Sequence, residues 1–289
     1  MIPYIVWPIL LLSAFLAGAI VYVIRQRNKA LRLLAGERER SGKLIRRVEA
    51  DLEQAARIQR DLLPKSSPKF NGFDIHGVNV PCYEVGGDYY DFIPIDEDRL
   101  GVVIADVSGK GIAASLLMAS LRAALRGEIR PDYDPARLAA RLSDFVYTSS
   151  GPSSFVTFFF CEVDRRTAAM RYVSAGHIPP FVLGRDGKTR ALDASGMPLG
   201  MFASSAYEAR TIDLEPGELA VLFTDGIPEG RNDRAEEYSV ERLERVVRDN
   251  GGLAAGDICC KVIEDTRAFV CDTQPCDDVT LVVVKRTSA

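Results

Sequence analysis

Histidine, tryptophan and paired cysteine are all scarce in this sequence. Its 289 residues include two histidines, His76 and His177, and one tryptophan. Two histidines exclude a multi-histidine metal centre. The six cysteines are Cys82, Cys161, Cys259, Cys260, Cys271 and Cys276, with no Cys-x-x-Cys pair among them. Their spacing fits no zinc knuckle, and they are too sparse for a disulfide scaffold. Reduced, structural thiols are expected. Basic charge is also short: 36 Lys and Arg face 40 Asp and Glu, for a net charge of −4. That balance gives no footprint for nucleic acid, and none is expected as a partner. Apolar residues at 47% and charged residues at 26% exclude a disordered, collagen-like or purely coiled-coil chain.

Charge is missing altogether from residues 1–24. The run Tyr4–Ile24 is 21 residues long, or roughly 31 Å as a helix, enough to cross a hydrocarbon core. Trp7 and Tyr22 sit near its ends, where aromatic residues favour the interface. Arg25, Arg27, Lys29 and Arg32 follow at once and mark the cytoplasmic side. The run is too long for a cleaved signal peptide, and no basic residue precedes it. Residues 1–24 therefore read as a single-pass anchor in the cytoplasmic membrane, with the N-terminus outside and the rest of the chain inside.

Residues 25–64 read as a helical, coiled-coil-like linker. Ile24, Leu31, Ile45 and Leu52 share one heptad position, and Leu34, Val48, Ala55 and Leu62 the other. Gly36 and Gly42 weaken the middle, so two helical pieces or one helix with a soft centre both fit. The seam fits a parallel homodimer through residues 25–63. A solvated stalk, or a helix packed on its own domain, fits as well. Pro64 ends the helix, and Lys65-Ser66-Ser67-Pro68 is a linker.

Residues 65–289 read as one domain. Short apolar runs predict strands over 73–80, 100–105, 155–163, 168–173, 219–224 and 279–284. Helical patterns fill 112–129, 135–149, 239–249 and 257–269. Strands follow strands and helices come in pairs, which predicts an α+β fold on an antiparallel sheet core.

The chemistry lies in where the aspartates fall. The strand from Leu100 runs into Asp106, and the strand from Leu219 runs into Asp225. Asp277 and Asp278 run into the strand from Val279, and Gly86-Gly87 precede Asp88 at a further strand start. If the last strand runs antiparallel to the first two, these carboxylates meet at one edge of the sheet. A single Asp at a strand end is usually a turn former; four such sites are far less easily a coincidence. Clustered carboxylates resist ionising, and a divalent cation resolves the conflict. Hard oxygen ligands predict Mg²⁺ or Mn²⁺. Ser108-Gly-Lys-Gly111 is not a phosphate-binding Walker loop, because Gly111 stands where Ser or Thr should follow Lys110.

In order along the chain stand Ala56–Pro64 (ARIQRDLLP), Val85–Phe92 (VGGDYYDF), Ile104–Ala119 (IADVSGKGIAASLLMA) and Phe155–Asp164 (FVTFFFCEVD). Tyr172–Pro180 (YVSAGHIPP), Met197–Gly200 (MPLG), Leu222–Asn232 (LFTDGIPEGRN) and Asp277–Val284 (DDVTLVVV) follow. Together these segments resemble the SpoIIE/RsbU-type serine phosphatases, a bacterial branch of the metal-dependent (PPM, type 2C) protein phosphatases. The resemblance implies an α-β-β-α sandwich holding two Mn²⁺ or Mg²⁺ ions between its sheets. It implies that Asp106 bridges both metals and that the Val107 carbonyl binds one. Asp225 and Asp277 would hold the other, Asp88 would contact the first directly or through water, and Asp278 would stand behind the ligands. A water shared by the metals would attack phosphorus in line.

Two positions depart from the wider family. Ser108 replaces the histidine that follows the bridging Asp in many members, so no general acid is assigned. Tyr83 stands about where a phosphate-binding arginine would be, which leaves Lys110 as a candidate substrate contact or a solvated loop lysine. His177 reads equally as a structural and as a catalytic residue. The resemblance further implies a phosphorylated STAS-domain anti-anti-sigma protein as substrate and partner. It also implies control by the helix 51–63, with Gln59, Leu62 and Leu63 as its candidate regulatory positions. The alternatives are a membrane-tethered scaffold that binds a phosphoprotein without hydrolysing it, and a hydrolase of a small phosphate ester.

Overall fold

The computed structural model describes residues 6–151, 154–270 and 277–287. The chain divides into two compact units, residues 1–54 and 55–289. Helix α1 (Val6–Leu62) runs without a break through Gly36 and Gly42, so the reading with one helix holds over the one with two pieces. In the first unit its apolar stretch has a mean hydropathy of 2.2 and is not buried. It is long and apolar enough to cross a membrane. Leu31, Leu34, Ile45 and Val48 of the heptad seam are exposed.

The second unit opens with the last turns of α1, where Ala56 is buried. The first strands and helices are β1 (Phe73–Val80), β2 (Tyr89–Pro94), β3 (Arg99–Val107), α2 (Ile112–Glu128) and α3 (Pro135–Ser149). Then come β4 (Val156–Asp164), β5 (Ala169–Ala175), β6 (Phe181–Leu183), β7 (Thr189–Ala191) and β8 (Arg210–Asp213). The chain closes with β9 (Leu219–Phe223), α4 (Val240–Asn250), α5 (Ala255–Val270) and β10 (Val279–Arg286). Pro135 opens α3 at a position that needs no amide donor, and the Asp134 carboxylate accepts from Arg137 N to cap it.

Two five-stranded sheets form, in the orders β1-β10-β9-β6-β7 and β2-β3-β4-β5-β8, with antiparallel neighbours throughout. Side-chain alternation along each strand builds the layers. Val102 and Ile104 of β3, Ala220 and Leu222 of β9, and Val282 and Val284 of β10 share one core between the sheets. The intervening Val103, Ala105 and Val107 of β3 pack with α2 and α3. Val221, Phe223, Leu281 and Val283 pack with α4 and α5. The result is the expected α-β-β-α sandwich, whose central strands β3, β4, β9 and β10 are apolar on both faces because both are covered.

One expectation is corrected. The aspartates do not line one edge of a single sheet. β9 and β10 are antiparallel neighbours, but β3 belongs to the other sheet. The carboxylates meet across the gap between the sheets instead. Cys161, Cys259 and Cys260 are free thiols; Cys271 and Cys276 lie outside the described residues.

Candidate active site

The alternation that builds the inner core also sets its polar end. One more step of two along each strand leads from Ile104 to Asp106, from Tyr90 back to Asp88, from Leu222 to Thr224 and from Val282 back to Thr280. Asp88, Thr224, Thr280 and Asp278 are all buried. Continuing the β2–β3 register by one residue places Asp88 opposite Asp106, a like-charged pair that costs free energy.

Burial lifts the Asp88 carboxyl well above the ordinary carboxylate range, and the Asp106 charge adds to it, against hydrogen bonds from Thr280 and Thr224. Asp106 is pushed up to about 7 by burial and by the charges of Asp225, Asp277 and Asp278. Asp225 is raised by burial, then by Asp277 and Glu229. The Lys110 ammonium lies 2.9 Å from Asp277 Oδ2, so this lysine is at the carboxylate cluster and not in a remote loop. Asp278 has a different task. Its Oδ1 accepts from Cys82 N at 2.8 Å and its Oδ2 from Gly87 N at 2.7 Å. The loop before Asp88 is therefore wrapped on this carboxylate. Gly86 permits the approach, since a Cβ there would stand 2.1 Å from Asp278 Oδ2.

The end of α1 grips the same loop. Gln59 Nε2 donates to Gly86 O at 2.7 Å, and Gly86 N donates to Gln59 Oε1 at 3.0 Å. Leu63 packs against the core beside it, on both faces of the β2 sheet; Leu62 is partly buried.

Asp106, Asp225 and Glu229 line a cleft of about 400 Å³ with Thr157 and His177. His177 is buried, with Nδ1 3.0 Å from Thr157 Oγ1. Burial pushes its pKa down to about 4, so the ring is neutral at pH 7. Its Nε2 is buried without a hydrogen-bond partner. Ser108 is committed to the backbone: its Oγ accepts from Phe155 N, and its own N donates to Phe155 O. Tyr83 is half-exposed. The sequence reading missed Glu229, Thr157, Thr224 and Thr280. The threonines were legible in principle, because each continues the period-two pattern of a strand whose apolar partners face inward.

Among the described residues no three His, Cys, Asp or Glu side chains already stand as a metal cage. The chemistry of the donors nevertheless fits a hard divalent cation. They are oxygens only, and burial together with neighbouring charge raises the carboxyls of Asp88, Asp106 and Asp225, a penalty that a bound cation relieves.

A family model described as Stage II sporulation protein E (SpoIIE) matches residues 96–287, about two thirds of the chain. The chain belongs to the SpoIIE family. It is 31% identical over 242 residues to the phosphoserine phosphatase RsbU of Bacillus subtilis, covering 83% of this chain and 71% of RsbU. The SiaA-PP2C domain of Pseudomonas aeruginosa superposes with a TM-score of 0.74 at 20% identity, over 83% of this chain and 97% of that domain. RsbX, solved in complex with magnesium, superposes with a TM-score of 0.59 at 14% identity, over 76% of this chain and 98% of RsbX. This SpoIIE-family chain is a protein serine/threonine phosphatase of the SpoIIE/RsbU type, with the PP2C-like sandwich fold.

Proposed function

We propose that this phosphatase is membrane-anchored, uses two divalent cations, and dephosphorylates a phosphoserine on a STAS-domain anti-anti-sigma protein in a partner-switching pathway. The convergence of Asp88, Asp106, Asp225 and Asp277 at one end of the inter-sheet core carries the reading. It explains why a fold would keep Asp88, Asp106 and Asp225 raised by burial and by neighbouring charge. Bound Mn²⁺ or Mg²⁺ would supply Lewis acidity toward water and toward the phosphoryl oxygens. Asp106 stands between the sheets and faces both halves of the site, Asp88 on one side and Asp225 with Asp277 on the other. The Val107 carbonyl adds a neutral oxygen. Lys110, paired with Asp277, keeps a positive charge at the carboxylate cluster and would meet an incoming phosphate. The floor, with neutral His177 and Thr157, orients the phosphate ester without adding charge. The anchor reading rests on the uncharged run before Arg25, and a homodimer through residues 25–63 on the exposed heptad seam.

The substrate is tested by adding Mn²⁺ to the purified full chain with a phosphoserine STAS protein and, separately, with p-nitrophenyl phosphate. Turnover strongly favouring the protein substrate is expected. Equal turnover of the small ester would contradict the protein-directed reading.

Regulation is proposed to pass through Gln59. Its paired hydrogen bonds seize Gly86, two residues before Asp88, so movement of the helix carries the loop with it. Gln59→Ala should raise the Mn²⁺ concentration for half-maximal activity roughly tenfold, the scale for losing an outer support of a ligand. It should also lower the melting temperature of the metal-free protein by a few degrees, since Gly86 loses the partners of its N–H and C=O, so the Mn²⁺ requirement is read below the melting range. An unaltered Mn²⁺ requirement would remove Gln59 from the control of this site.

A further inference from the structure

The carboxylate of Asp88 begins in one sheet and is held from the other. Thr224, just past β9, donates from Oγ1 to Asp88 Oδ2 at 2.7 Å. Thr280, the second residue of β10, donates from Oγ1 to the same oxygen. Neither hydroxyl is free to turn away. The Thr224 oxygen accepts from the Thr280 backbone N–H at 3.0 Å, and the Thr280 oxygen accepts from Asn79 Nδ2 at 2.8 Å. With a nitrogen donor on one lone pair of each oxygen, each hydroxyl is oriented so that its proton points to Asp88 Oδ2. Thr224, Thr280 and Asp88 are 0%, 0% and 4% exposed, so water does not compete for these bonds.

Two donors commit Oδ2 to the threonines, and Oδ1 is the oxygen of Asp88 free of them; the Asp88 side chain also hydrogen-bonds Asp106. We propose that Thr224 and Thr280 form a two-hydroxyl bracket that fixes which oxygen of Asp88 is offered to the cation site. The inference rests on the reading of Asp88 as a metal ligand. Thr224 and Thr280 are positioning residues: they act through Asp88, and Asn79 holds one of them in turn. The bracket also locks the sheets together at the catalytic end. Asp88 belongs to the β2 side, and both hydroxyls belong to the β9–β10 side. A shift of one sheet against the other would change the geometry of the ligand directly.

The test measures Mn²⁺ binding to the full chain in detergent by calorimetry and by the electron paramagnetic resonance of free Mn²⁺. Thr224→Val and Thr280→Val keep the shape and remove the hydroxyl. Each should weaken Mn²⁺ binding ten- to a hundredfold. Thr224→Ser and Thr280→Ser keep the hydroxyl and should bind close to the wild-type protein. Asn79→Ala frees the Thr280 rotor without removing a hydroxyl and should cost a few-fold. Thr224→Val also orphans the Thr280 N–H, so thermal melts of the metal-free proteins accompany each titration. If that variant does not fold, Thr280→Val and Asn79→Ala carry the test. Folded valine variants with wild-type Mn²⁺ affinity would overturn the bracket, provided that Asp88→Ala weakens binding. If Asp88→Ala itself left Mn²⁺ affinity unchanged, the bracket and the reading of Asp88 as a ligand would fall together.

Discussion

Asp106→Asn should abolish turnover and at the same time make the metal-free protein more stable. The first effect follows from position. Asp106 is the carboxylate that faces every other acid of the cluster, and losing it should cost on the order of 10³-fold or more in turnover, the scale for removing a group that stabilises developing charge. The second effect follows from its raised pKa. An ionised carboxylate held at about 7 instead of 3.8 is disfavoured by up to roughly 4 kcal/mol. Part of that is shared with its coupled neighbours, so asparagine should recover about 2–3 kcal/mol. For a domain of this size that corresponds to roughly 5–10 °C in melting temperature.

The pH dependence has a definite sign. A carboxyl whose pKa rises on folding contributes stability that is complete below its unfolded value. That stability is lost as the pH rises through the folded value, here between about 4 and about 7. His177 acts oppositely: its folded pKa is depressed to about 4, so its penalty is felt only below about pH 6.5. Between about pH 5 and pH 7 the Asp106 contribution is lost from the metal-free wild-type protein and not from Asp106→Asn, while the His177 effect is common to both, so the variant gains on the wild type. Differential scanning calorimetry at the two pH values, with chelator present, measures both slopes. A variant less stable than the wild type at pH 7 would show that Asp106 is held by favourable contacts and not strained by its neighbours.

The second large effect is expected at Gly226. A Cβ there would stand 1.9 Å from the backbone oxygen of Asp278 and 2.9 Å from its carbonyl carbon. Neither is the end of a flexible side chain. Gly226→Ala must push the turn after Asp225 away from the segment carrying Asp277 and Asp278. Asp225 and Asp277 then separate. Overpacking of this kind costs about 1–3 kcal/mol and more where backbone must move, so about 3 kcal/mol is expected here, visible in a urea or thermal melt. Activity at saturating Mn²⁺ should fall further than the folded fraction does, because the geometry of the pair is damaged in the molecules that remain folded. Activity that tracked the folded fraction alone would place Gly226 in stability and outside the site.

Much of this architecture is legible in the chain. The predicted strands over 73–80 and 279–284 agree with β1 and most of β10, because their apolar runs are bounded by turn residues and acids. Helix α3 carries its own cap and opening proline, and its predicted ends hold. The short β6, β7 and β8 were not foreseen. Three or four residues give too little periodicity to register; β6 and β8 are held by β9 and β5, distant along the chain, and β7 only by its edge pairing with β6. The aspartates stood out because acids directly abut buried strands. Their division between two sheets did not, since alternation assigns a side chain to a face but does not say which sheet the strand joins. Gln59 was legible as part of a helix. Its grip on Gly86, 27 residues away, depends on how that helix docks.

The central claim is that the clustered carboxylates are a cation site that drives phosphoserine hydrolysis. Its most direct test is calorimetric titration of Mn²⁺ into the chelator-treated full chain at pH 7.5, beside Asp225→Asn, with dephosphorylation of the phosphoserine STAS protein followed on the same samples. Two Mn²⁺ per chain should bind the wild type, with turnover rising as the sites fill. Asp225→Asn should bind fewer and turn over at background. Turnover that persists in chelator, or Mn²⁺ binding unchanged by Asp225→Asn, would contradict the account.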